Sequence, residues 1–88
     1  MNNDKPYEEK YIDGWFYRTF TEETAKYEMV WHRDREDRII EVVEPTDWLF
    51  QIEDKLPIPI EGQIFVPMGI WHRAIKGTKE LKIRIKKL

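Results

Sequence analysis

The sequence predicts an all-β domain, a sandwich or barrel of about eight short strands. Three observations carry this. The first is composition: 11 Ile, 4 Val, 5 Thr, 4 Phe, 4 Trp and 4 Tyr stand against 2 Ala and 4 Leu. β-Branched and aromatic side chains fit a pleated, half-buried surface, whereas a helical domain is normally richer in Ala and Leu. The second is punctuation, because turn signals recur about every eight to twelve residues. The third is periodicity: no amphipathic stretch long enough for a three-turn helix is visible, so βαβ units are not expected.

In chain order, residues 1–13 read as a loosely ordered N-terminal arm that Tyr7, Tyr11 and Ile12 could pin to the body. Residues 14–88 read as a single domain. A first strand is expected over Trp15 to Phe20, after Gly14. The polar stretch from Thr21 to Ala25 is expected to turn. A second strand is expected over Tyr27 to His32, a charge cluster from Arg33 to Asp37, and a third strand from Arg38 to Val43, stopped near Pro45. Trp48, Phe50 and Ile52 recur at period two and place a fourth strand over Asp47 to Ile52. Leu56 to Ile60 carries Pro57 and Pro59, which fit only an edge strand with the missing N–H groups turned outward. Gln63 to Val66 follows Gly62, and Pro67-Met68-Gly69 makes a turn. Trp71 to Ile75 is the next strand. In the last, Leu81, Ile83 and Ile85 alternate inward against Lys82, Arg84 and Lys86. The expected inward set on the central strands adds Val30, His32, Arg38, Ile40, Val42, Ile70, His72 and Ala74.

The chain has 88 residues, enough for one small domain with a modest core. Its net charge of −2 argues against a dedicated nucleic-acid binder. It has no cysteine, which excludes disulfides and thiolate metal sites. The first ten residues hold no apolar run of the kind a secretory signal needs, and no apolar stretch is long enough to span a membrane. The expectation is a cytoplasmic domain with neither nucleic acid nor membrane as partner.

The chemistry concentrates on two histidines, His32 and His72, each preceded by Trp and followed by Arg: Trp31-His32-Arg33 and Trp71-His72-Arg73. Asp34 lies two residues after His32, so on a strand both side chains point to one face, about 6.5–7 Å apart. With His72 from a neighbouring strand, two imidazoles and one carboxylate would converge. That donor set suits a divalent transition metal, Fe(II), Mn or Zn. The bland reading of His-x-Asp alone is a histidine hydrogen-bonded to a carboxylate at a strand end. By alternation, Trp31 and Trp71 face away from the histidines. Glu36 and Asp37 read as solvated partners of Arg33 and Arg35.

The run Gly62-Gln63-Ile64-Phe65-Val66-Pro67-Met68-Gly69-Ile70-Trp71-His72 resembles the second sequence motif of the cupin superfamily. That motif is a glycine, a short apolar strand, P-x-G, two residues and a metal-binding histidine. The first cupin motif is H-x-H, three or four residues, then Glu. The stretch His32-Arg33-Asp34 with Arg38 is similar, with Asp34 in place of the second histidine and Arg38 in place of the glutamate. The whole pattern is also similar to short cupin-like proteins of unknown function, many encoded by tailed phages. The resemblance implies a cupin-type double-stranded β-helix, or jelly roll, of about eight short antiparallel strands. It also implies metal ligation by His32, Asp34 and His72. An OB- or SH3-like barrel is the competing architecture and would leave His32 and His72 far apart.

Arg38 departs from the motif. A guanidinium cannot ligate a metal, and an Asp34–Arg38 pair would compete with an Asp34–metal bond. Arg38, Gln51, Trp48 and Arg73 are the candidate ligand-binding residues. Trp48 also fits a core position, and Gln51 a solvent-facing one. Two functions follow. One is a small pocket protein binding a divalent metal or a small anionic ligand between His32 and His72. The other is a non-catalytic interaction or assembly module, a phage accessory or regulatory protein with a metal-free barrel. A homodimer is expected, because the strand from Trp15 to Phe20 is apolar on both faces and needs a cover on each. The second cover is either the N-terminal arm or another subunit.

Overall fold

The computed structural model describes residues 7–21 and 29–88. Among them are eight strands and no helix: β1 (Glu8–Ile12), β2 (Trp15–Phe20), β3 (Arg38–Val42), β4 (Leu49–Ile52), β5 (Ile58–Pro59), β6 (Gln63–Val66), β7 (His72–Ile75) and β8 (Leu81–Lys87). They form a five-stranded sheet in the order β1-β2-β8-β3-β6 and a three-stranded sheet in the order β5-β4-β7. Every strand pairing is antiparallel.

The core lies between the two sheets and is built from alternate residues. On β8, Leu81, Ile83 and Ile85 are buried, while Lys82 and Arg84 between them are half-buried on the other face. Phe20, Trp48, Phe50, Ile60, Val66 and Ala74 complete the buried cluster. Each such large apolar side chain contributes about 1.5–3 kcal/mol by leaving water. β5 forms one edge of the smaller sheet, as Pro59 requires, with that proline opposite Leu49 and Pro57 just outside the strand.

Four expectations need correction. Residues 8–12, expected as part of a loose arm, form the edge strand β1 along β2. The joining residues Asp13 and Gly14 have φ of 51° and 88°, the two positive values of a type I′ hairpin turn whose twist matches the strands. Tyr7 then packs on Phe20 and Tyr11 on Phe16, with ring centroids 5.0 and 4.7 Å apart. Second, of the strand expected from Tyr27 to His32, residues 27 and 28 lie outside the described residues, as do residues 22–25 of the expected turn. In the remainder, His32 alone pairs, as an isolated bridge to His72. Third, Val30 is not inward but 58% exposed. Fourth, Glu36 pairs with Arg38, and the Asp37 carboxylate accepts the Met68 N–H at 2.7 Å. Asp37 stays exposed, as expected, and Glu36 is half-buried; what differs is their partners, Arg38 and the Met68 N–H in place of Arg33 and Arg35.

The β7–β8 turn packs on the segment before β4 without slack. A Cβ on Gly77 would lie 2.1 Å from an Asp47 carboxylate oxygen and 2.7 Å from the Trp48 ring. That carboxylate accepts the Thr78 N–H at 2.9 Å and the Thr78 hydroxyl at 2.8 Å. These bonds hold the Asp47 carboxyl below its ordinary pKa. Gly77→Ala is expected to destabilise the chain by about 1–3 kcal/mol, the usual cost of overpacking, read as a lower midpoint in urea. Because the folded-state pKa of Asp47 is depressed, its contribution is complete above the unfolded value of about 3.9 and is lost as pH falls through the folded one. Asp47→Asn is therefore expected to lower thermal stability at neutral pH and to flatten the acid limb of the stability curve.

Candidate metal site

His32 and His72 reach one another through the backbone. The His32 N–H donates to the His72 carbonyl at 3.0 Å, and the His72 N–H donates back at 2.8 Å. Residues directly opposite in such a pair point to the same face, and the two imidazole centroids are 4.4 Å apart. The competing barrel architectures, which separate these residues, are thereby ruled out. Asp34 continues the extended segment on the inner face. Its carbonyl accepts the Gly69 N–H at 3.0 Å, so the charged segment is seated on the Pro67–Ile70 turn that leads into β7. The Asp37 bond to Met68 fastens the same two segments a second time.

Ligand atoms of His32, Asp34 and His72 all lie within 4.8 Å of one another. His72 Nε2 is 3.4 Å from an Asp34 oxygen. In both histidines Nδ1 is 2.8 Å from the backbone carbonyl two residues earlier, of Val30 and of Ile70. A carbonyl only accepts, so Nδ1 carries the proton, and in the neutral tautomer it is Nε2 that offers a lone pair. Such outer hydrogen bonds fix the tautomer and the ring plane of metal-binding histidines. His72 is 3% exposed and its ring lies 5.5 Å from that of Phe50. Burial pushes its pKa below the ordinary histidine value. The bond to Ile70 and the Asp34 charge oppose this, while His32 and Arg38 add to it. The lowered pKa favours the neutral imidazole, the form that ligates.

The donor set fits a divalent ion. Two neutral imidazoles and one carboxylate suit Fe(II), Mn or Zn. The residues enclose a cavity of about 30 Å³, lined also by Arg18, Arg38, Phe50 and inward residues of β3 and β8.

The expected conflict at Arg38 is resolved by division. Arg38 Nη1 contacts one Asp34 oxygen at 3.3 Å, the other Asp34 oxygen faces His72, and Arg38 Nε is held by Glu36 at 2.5 Å. A carboxylate has sites for both, so Arg38 can orient Asp34 rather than displace an ion from it.

The other ligand-binding candidates lie elsewhere. Trp48 is fully buried and donates its indole N–H to the Lys79 carbonyl at 2.7 Å. It belongs to the core and not to the cavity wall, because its strand brings Phe50 and Ile52, rather than Trp48, alongside His72. Gln51 and Arg73 are opposite one another on β4 and β7 and bonded at 2.9 Å. They sit one residue out of phase with His72, and the pleat turns them to the outer face.

Sequence reasoning missed Arg18. It is 8% exposed, lines the cavity, and pairs with Glu9 at 2.6 Å from the opposite position on β1. A usable signal existed: Arg18 lies midway between Phe16 and Phe20 and shares their inward phase.

No protein-family model matches the sequence, and no curated protein matches it. Solved structures do match. A protein from Neisseria meningitidis is 16% identical, with a TM-score of 0.61 over 93% of this chain and 81% of that one. A cupin-2 domain containing protein from Shewanella frigidimarina is 19% identical, with a TM-score of 0.59 over 97% of this chain and 81% of that one. A cupin domain from Bordetella pertussis is 13% identical, with a TM-score of 0.57 over 93% of this chain and 91% of that one. At these identities the likeness shows the fold, and the fold is that of a cupin.

Proposed function

We propose that this cupin-fold chain holds one divalent transition-metal ion between His32, Asp34 and His72. The observation that supports the reading most directly is the convergence of three ligand atoms within 4.8 Å, with both Nδ1 atoms committed to backbone carbonyls. A bound ion supplies Lewis acidity to whatever small ligand meets it. The chain's own residues orient the ligands and exclude bulk solvent. Arg38 fixes one Asp34 oxygen, Phe50 packs on His72, and Arg18, held by Glu9, lines the cavity. At about 30 Å³ the cavity has room for one or two waters or a small anion beside the ion. Titrating chelator-treated, untagged protein with Zn(II) or Co(II) by calorimetry tests the reading. One saturable equivalent is expected, and less than about one-tenth of an equivalent at saturation removes the metal.

The homodimer belongs to the same proposal. The outer face of the five-stranded sheet carries a row across its width in which Ile12 lies opposite Trp15, and Ile39 opposite both Lys86 and Phe65. Ile12 and Phe65 are 50% and 53% exposed. A second copy laid on this face would cover them by an isologous contact. Sedimentation is expected to show twice the 10.8 kDa chain mass at micromolar concentration. Phe65→Lys is expected to return it to the monomer, and a monomer at all concentrations removes the dimer.

A further inference from the structure

Each Trp-His-Arg tripeptide turns its histidine to the inner site and leaves its tryptophan and arginine on the outer face. The His32–His72 bridge sets the two tripeptides antiparallel, so Trp31 falls opposite Arg73, and Arg33 opposite Trp71. The guanidinium of Arg73 lies 4.7 Å from the Trp31 ring centroid, and that of Arg33 lies 5.0 Å from the Trp71 centroid. Both are within cation–π range. These contacts fix the indoles in place without covering them: Trp31 is 42% and Trp71 38% exposed.

Between the indoles is a hollow of about 310 Å³, lined among the described residues by Trp31, Trp71, Glu53 and Asp54. Neither arginine lines it. Glu53 is seated beside Trp71 by its N–H, which donates to the Trp71 carbonyl at 2.9 Å. Asp54 follows at a left-handed φ of 63°, where the chain leaves β4. Two tryptophans and two acidic residues lining one space are the chemistry of an organic-cation site. The ring quadrupoles attract a cation over their open faces, and Glu53 and Asp54 offset the charge of the two arginines stacked on the same indoles. A large, weakly hydrated cation gains most, because it gives up little on leaving water.

We propose that this hollow binds an alkylammonium head group, carried by a free quaternary ammonium compound or by a methylated lysine side chain. It is separate from the metal site, on the opposite face of the same two segments, and does not depend on metal loading.

The test is an NMR titration of the full chain, read at the tryptophan indole N–H signals. The probes are choline, its neutral isostere 3,3-dimethylbutan-1-ol, and a short peptide bearing trimethyllysine. Choline or the peptide is expected to shift the Trp31 and Trp71 signals saturably, and their ratio identifies the source. The neutral isostere is expected to bind about tenfold more weakly, the loss of two exposed cation–π contacts. The double variant Glu53→Gln, Asp54→Asn keeps shape and left-handed backbone and is expected to weaken the cationic probes several-fold. Equal binding of the isostere overturns the proposal. So does saturation by neither cation, or shifts confined to Trp15 and Trp48.

Discussion

Asp34→Asn is expected to lower divalent-metal affinity by more than about 100-fold while leaving the fold in place. Changing a group that only supports a ligand typically costs 10–100-fold, and removing the one anionic ligand costs more. The asparagine keeps the shape of the side chain and can still accept from Arg38, while Arg38 keeps its bond to Glu36. A thermal melt close to the parent's, together with lost calorimetric heat for Zn(II), is the expected pair of results. His72→Ala is expected to abolish binding as well. It also opens a void, because His72 is 3% exposed and packed on Phe50, so its melt is expected to fall. Unchanged affinity in both variants would place any ion elsewhere.

Trp48→Ala is expected to cost about 3–5 kcal/mol, the usual range for removing a buried aromatic side chain. Trp48 has no exposed surface and is one of the four largest fully buried side chains. At about 0.05–0.15 kcal/mol per residue, a chain of this length has about 4–13 kcal/mol of total stability. The loss therefore takes a large share, and much of the variant is expected to be unfolded at 37 °C. Trp48→Phe separates packing from hydrogen bonding. It keeps most of the volume but leaves the Lys79 carbonyl without the indole N–H, a loss of about 0.5–1.5 kcal/mol beyond the smaller ring. Urea midpoints for the two variants measure the difference. A Trp48→Ala chain as stable as the parent would contradict the placement of Trp48 at the centre of the core.

Much of this architecture was legible because the strands alternate. Leu81, Ile83 and Ile85 announce a sheet face by period two, and Pro57 with Pro59 announce an edge. The P-x-G turn before His72 carried the fold resemblance further. The N-terminal strand was harder to read, because Glu8 to Ile12 is mostly polar and sits at an edge. Its hairpin signal was Asp13-Gly14, a stronger local mark than the composition beside it. The convergence of His32, Asp34 and His72 was legible, since His-x-Asp on one extended segment and a histidine on its neighbour come together by geometry alone. The roles of Arg18, Gln51, Arg73 and Trp48 depend on strand phase and neighbouring sheets. The phase of Arg18 was available from Phe16 and Phe20, but its Glu9 partner exists only once β1 is paired. The sharing of Asp34 between Arg38 and His72 depends on rotamers, which no spacing rule specifies.

The most direct measurement is a crystal structure of the untagged chain soaked with Co(II), with diffraction collected at the cobalt absorption edge. One strong anomalous peak is expected between His32, Asp34 and His72, with Arg38 retained on the Asp34 oxygen that does not face the ion. A saturated soak with no peak there, or with the peak at surface carboxylates alone, would contradict the metal site.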